Sequence, residues 1–247
     1  MIEDRLKKLR KKVRINSKKV VDGIINNPNT NSCAFCGAKN KITKEHVIPK
    51  WAFNNNPQKG FISPINGLNQ KYSKTTIPAC FECNSYILGE LEKFIEYQFR
   101  KTDDIKDGLK VDVLEKTILW LEIIDYKYQY LDLRRKFKKH KDSNFIRFLS
   151  EIPIGIMQDI ELSPAKVYTN LRISFTKLRV KSKVKRINSL LIFKTSNKEF
   201  YFFHKRNDYI FIELPEYRIA IFYFLTKSFA TNIDAHESAM KIIQKIY

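Results

Sequence analysis

Four cysteines stand in two pairs, Cys33-Ala-Phe-Cys36 and Cys80-Phe-Glu-Cys83, and they are all the cysteines of the 247-residue chain. Thiolates at that spacing chelate one ion through a tight turn, and two such pairs complete a tetrahedron around zinc. Gly37 suits the turn after the first pair. A redox role would need a single pair in a thioredoxin-like setting, which is absent. An ion saturated by four sulfurs keeps no open position, so this one would hold the fold and do no catalysis.

Between the two pairs lies Lys44-Glu45-His46-Val47-Ile48-Pro49. A carboxylate beside an imidazole at the end of a short apolar segment is a compact acid–base unit. The carboxylate suits a hard divalent ion, and neutral imidazole accepts a proton from water near pH 7. A lone histidine at such a place is more often structural. Its position between two cysteine pairs, with Asn84 directly after Cys83, favours the chemical reading.

The order C-x2-C, Glu-His-Val-Ile-Pro, then Ile-Pro-x-C-x2-C-Asn resembles the zinc-bearing branch of the HNH endonucleases over roughly residues 33–95. The segment Ile48-Pro49-Lys50-Trp51 and the later Leu91-Glu92 resemble a subgroup of it. The resemblance implies a ββα-metal core, metal-dependent hydrolysis of phosphodiester bonds, and products with 5′-phosphate and 3′-hydroxyl ends. It makes Glu45 and Asn84 ligands of a catalytic Mg²⁺ or Mn²⁺, His46 the general base, and the four cysteines a structural zinc site. The family's middle Asn falls here on Thr75, whose task would be to brace the loop carrying the base; Asn66 or Asn69 are substitutes from the loop. Glu90 and Glu92 are further carboxylates near the site, with a solvated helix face or a structural salt bridge as the simpler reading.

These residues need elements to position them. Residues 3–25 read as a basic helix, with Leu6, Leu9, Val13, Val20 and Ile24 at helical spacing and Arg5, Lys7, Lys8, Arg10, Lys11, Lys12, Arg14, Lys18 and Lys19 around them. Asn26 to Ser32 is a polar break, Asn54 to Tyr72 a long loop, and residues 85–101 a helix. Thr102 to Gly108 is a charged linker. The spacing predicts one or two helices over 112–139 and another near 143–150. Strands follow near 167–184, 187–194, 199–205, 208–214 and 217–225, with a closing helix at 232–246. The expected class is α+β: a basic arm (1–30), a ββα-metal core with its zinc knuckle (31–101), and an α+β accessory domain (102–247).

Charge indicates the partner. Lys and Arg number 46 against 26 Asp and Glu, a formal net charge of +20. Such a field attracts polyanions, and nucleic acid, DNA first, is the commonest. An anionic membrane and a merely Lys-rich surface are the competitors. The longest apolar run, Ile219 to Leu225, is far short of the ~20 residues of a span, so no membrane is expected and a cytoplasmic home is the default. Lys177, Arg179, Lys181, Lys183 and Lys185 fall on alternate residues, which on a strand would line one face with cations. With Lys44 and Lys50 they are the candidate phosphate contacts. The rivals to a nuclease are a non-catalytic zinc-knuckle nucleic-acid-binding module and a structural or adaptor protein whose basic surface meets an acidic partner protein; the C-terminal domain is a further place for a protein partner to dock. A place in phage defence is an expectation by family analogy alone.

Overall fold

The computed structural model describes residues 2–62, 69–101, 109–137 and 164–246. The expected linker 102–108, the helix near 143–150 and Asn66 lie outside them. Helix α1 (Ile2–Asn26) buries the predicted apolar stripe of Leu6, Leu9, Val13, Val20 and Ile24. Strands β1 (Ile42–His46) and β4 (Thr76–Cys80) pair antiparallel, with Glu45 opposite Ile77 and Ile42 opposite Cys80. A widened π turn over Glu82–Leu88 then leads into α2 (Gly89–Arg100). The segment expected as a plain loop carries β2 (Gly60–Ile62) and β3 (Asn69–Lys71), paired antiparallel.

Helix α3 (Val111–Phe137) is the axis of the molecule. It packs against α1, α2, the end of β4 and α4 (Pro164–Arg179). The spacing of Leu114, Ile118, Leu121, Ile124, Tyr128 and Leu131 predicts an amphipathic helix, yet Ile118 through Tyr130 is buried on every side. Its charged residues in that stretch are therefore enclosed and must find partners.

Residues 164–179 form helix α4, not a strand. Val167, Leu171, Phe175 and Leu178 recur at helical spacing and are all buried. The alternating cations straddle the end of this helix, so they share no face. Lys177 and Lys183 are 7% and 2% exposed, whereas Val180 and Val184, expected inward, are 47% and 54% exposed.

The remaining expected strands form, as β5 (Leu190–Lys194), β6 (Tyr201–Lys205), β7 (Tyr209–Leu214) and β8 (Ile219–Phe224). They make one antiparallel sheet in the order β5-β8-β7-β6. Strand alternation divides its side chains between two cores. Ile210, Ile212, Ile221 and Tyr223 join the main core with α1, α2, α3 and the cysteine region. Phe211, Ala220, Phe222 and Phe224 meet α5 (Asn232–Ile243) through Ala235 and Ala239. The molecule is thus mixed helix and sheet. No helix among the described residues is long and apolar enough to cross a membrane.

Candidate metal centres and active site

The first cysteine pair sits on a turn in which Cys33 N donates to Ala38 O (2.7 Å) and Gly37 N to Cys33 O (2.8 Å). Gly37 has φ +67°, a conformation that an L side chain resists. Ala34 N donates to Pro78 O (2.8 Å), which lays this turn on β4, and Phe81 N donates to Lys41 O (2.9 Å). The hydroxyl of buried Tyr126, on α3, donates to Ala34 O. These ties bring all four Sγ atoms within 4.8 Å of one another, with Cys36 and Cys80 at 3.7 Å. Tetrahedral zinc at a Zn–S distance of about 2.3 Å needs sulfurs about 3.8 Å apart. The cluster fits a metal ion such as zinc. Contacts with Cys33 and Cys83 pull the Cys36 thiol far down, to about 2, while the contact with Cys36 pushes Cys33 up to about 12 against the pull of Cys83. A sulfur held as thiolate is what a metal ligand requires.

His46 ends β1 and is half-buried. Its Nε2 lies 3.2 Å from Ser73 O. A carbonyl only accepts, so Nε2 carries the proton and a neutral ring keeps its lone pair on Nδ1. Burial lowers the pKa of His46, the Lys50 and Lys127 charges push the same way, and the Ser73 bond and Glu45 oppose them. Thr75 links the stretch before β4 to the residue after His46. Its carbonyl accepts from Val47 N (3.0 Å), its N donates to Tyr72 O (3.1 Å) and its hydroxyl to Lys71 O (2.9 Å). Asn69 is exposed. Just beyond, Trp51 stacks on Trp120 of α3 (5.4 Å, 23°) and meets Phe99 and Tyr217 edge-on. Those contacts tie the segment after His46 to α2, α3 and the turn between β7 and β8.

Glu45 is 5% exposed and turns under the hairpin. Lys127, fully buried on α3, donates to Glu45 Oε1, to His46 O (2.9 Å) and to Glu92 Oε1 (3.2 Å). Its desolvation is outweighed by the two carboxylates, which raise its pKa. Burial pushes Glu92 up to about 7, against the pull of Lys127. Asn84, in the π turn, donates from Nδ2 to Thr43 Oγ1 (2.8 Å), and Thr43 in turn donates to Ala79 O (2.8 Å). Thr43 and Glu45 share a face of β1, one same-face step of roughly 7 Å apart. One oxygen of each carboxylate lies outside the bonds to Lys127, and the Asn84 amide has an oxygen not used toward Thr43. Such oxygens suit a hard cation such as Mg²⁺ or Mn²⁺.

Comparison of the chain with protein-family models, curated proteins and solved structures returns no match. The reading of this site therefore rests on its own geometry.

Lys44 and Lys50 flank His46 in sequence and are exposed. Arg179, Lys181 and Lys185 are also exposed. Lys177 and Lys183 do not qualify as phosphate contacts. The first binds Asp125 Oδ2 (3.0 Å) and Asn207 Oδ1 (2.6 Å), and the second binds Glu122 (2.5 Å) and Lys177 O (2.7 Å). Glu90 pairs with Arg5 of α1 (3.3 Å) on the surface. Sequence reasoning missed Lys127. Its signal was a charged residue inside Ile123-Ile-Asp-Tyr-Lys-Tyr-Gln-Tyr130, a stretch too apolar to stay in water.

Proposed function

We propose that the chain is a metal-dependent nuclease of the HNH type, with zinc on the four cysteines and a Mg²⁺ or Mn²⁺ at Glu45 and Asn84, with Glu92 beside them. The observation that carries this reading is the His46–Ser73 hydrogen bond, which places the ring proton on Nε2 and leaves Nδ1 as the basic nitrogen of an imidazole that burial keeps neutral. The antiparallel β1–β4 pair followed by a helix, with Glu45 and Asn84 both held to the hairpin's inner side, supports it. So does the net charge of +20, for a substrate that is DNA or another nucleic acid.

Glu45 and Asn84 would hold the divalent cation, which when bound would supply neutralisation of charge at the scissile phosphate and the departing oxygen. His46 Nδ1 accepts a proton from the attacking water, and the Ser73 carbonyl steadies the imidazolium that results. Exposed Lys44 and Lys50 draw the phosphate backbone toward the base. Thr75 keeps the Ser73 carbonyl in place through its bonds to Val47, Lys71 and Tyr72.

A second reading, a zinc-knuckle nucleic-acid-binding module without catalysis, draws on the grip of Lys127 on Glu45. Nicking of supercoiled plasmid with Mg²⁺ or Mn²⁺ separates the two. The nuclease nicks, and His46→Ala abolishes nicking while zinc content and DNA retention stay near wild type. Retention of DNA without any cut supports the binder, and an equally active His46→Ala removes the assigned base.

A further inference from the structure

The ammonium of Lys127 has three N–H donors, and each meets an oxygen: Glu45 Oε1, Glu92 Oε1 and His46 O. Its side chain is 0% exposed, so it reaches no substrate. Carboxylate and carbonyl oxygens around one positive charge are also the donor chemistry of a hard cation site. The lysine arrives from α3, outside the hairpin and helix that carry the other site residues.

Building on the nuclease reading, we propose that Lys127 is a tethered counter-cation. It holds Glu45 and Glu92 together and assembled before any divalent ion arrives. Two buried carboxylates with nothing between them repel, and a carboxylate left buried without its partner is strongly destabilising. With the ammonium in place, the site is held without a divalent ion, and the positive charge weakens that ion's binding, so at a given concentration the ion adds less to the stability of the fold. Without it, the acid pair depends on an external cation to stay together. Lys127 is a positioning residue: it acts through Glu45 and through the main chain at His46, and touches neither water nor phosphate.

The test is the melting temperature of the full, zinc-loaded chain with and without Mn²⁺. Lys127→Met melts below wild type, and Mn²⁺ at a hundred times its dissociation constant for that variant, the concentration then used for every protein, raises it by roughly 5–11 °C. Wild type rises by less than half as much, and Glu45→Gln combined with Lys127→Met loses the response. A role in packing alone would not move with Mn²⁺. Lys127→Met that melts like wild type, or that ignores Mn²⁺, overturns the proposal. Should Lys127→Met yield no folded protein, Glu92→Gln combined with Lys127→Met decides. Removing one charge of each sign restores folded protein if the lysine serves the acid pair, and failure to restore it overturns the proposal. Plasmid nicking is scored separately. A wild type that nicks through His46 while Lys127→Met ignores Mn²⁺ ends this inference and leaves the nuclease; the Mn²⁺ response without nicking does the reverse.

Discussion

Lys177→Met should unsettle the fold and leave nucleic-acid binding alone, the reverse of what alternating cations on a strand would give. The Lys177 ammonium is 3.0 Å from Asp125, a carboxylate with no exposure that also meets His204 Nε2 (2.7 Å), Ser174 Oγ (2.8 Å), Gln129 Nε2 (3.2 Å) and Asn207 N (3.3 Å). Removing one partner of a buried ion pair costs about 3–5 kcal/mol. His204 remains as a second partner, which places the loss near the lower end. At roughly 2–4 °C per kcal/mol for a chain of this size, a loss of about 3 kcal/mol lowers the melting temperature by about 6–12 °C. The sign of its pH dependence follows from Asp125. Although burial raises the pKa of Asp125, the Lys177 charge and the His204 bond hold it well below the ordinary carboxylate range. Its stabilisation is complete above about pH 3.9, the unfolded value, and fades only as pH falls through the lower folded value. The difference between wild type and Lys177→Met should therefore persist from pH 5 to pH 8. The assay pairs thermal melts with fluorescence anisotropy on random duplex DNA across salt, below both melting points. Lys177→Met keeps the wild-type salt slope. Arg179, Lys181 and Lys185 replaced together by Ala flatten it by up to 3 × 0.9, about 2.7. Weakened DNA binding in a Lys177→Met protein that melts normally would refute the argument.

The chain should purify with one zinc, measured by atomic emission. Cys36→Ser or strong chelation should remove it and collapse the near-ultraviolet dichroism of the cysteine region. Structural zinc contributes about 10–16 kcal/mol in small domains, comparable to or above the whole stability of a typical fold. The acid limb of kcat/KM for cleavage should lie below the ordinary imidazole value of about 6.5, because buried His46 resists protonation and only its neutral form is a base. Lys50→Glu removes a neighbouring positive charge and should move that limb to higher pH, read from a pH–rate profile.

The sequence made most of the sheet legible. Strands β5 to β8 fall where β-branched and aromatic residues gather, as suits a sheet whose two faces both meet apolar cores. The cysteine cluster was legible because paired spacing leaves few geometries. Two things were not. The reading of 167–184 as a strand followed alternation in Lys177–Lys185, but alternation over the last turn of a helix and the loop after it has no single face to line. The burial of Val167, Leu171, Phe175 and Leu178 shows the helical period that should have taken precedence. Nor could spacing pair Lys127 with Glu45, 82 residues apart in sequence. Local pattern reports that a charge is enclosed; only the tertiary fold names its partner. The placement of His46 against Ser73 is of the same kind, because a main-chain carbonyl carries no residue signature.

Helix α3 explains how the two halves hold one geometry. Glu122 binds Lys183 (2.5 Å) and the Tyr223 hydroxyl (3.0 Å), Asp125 binds Lys177 and His204, and Lys127 binds Glu45 and Glu92. At about 100° per residue, Glu122 and Asp125 lie about 60° apart on the side of α4 and the sheet, while Lys127 points about 140° from Glu122 and about 160° from Asp125 toward the hairpin. Three charges within six residues thus clamp opposite faces of a single rod. A buried ion pair is often no more stabilising than well-packed apolar residues. What these pairs add is position. A helix that was apolar all round could rotate or slide with small loss, whereas one carrying enclosed charges has few orientations in which every charge meets its partner. The part of the chain from α3 onward thereby sets where Glu45 and the main chain at His46 stand, and a cut at the expected boundary near residue 102 would take away Lys127 together with the core that surrounds it.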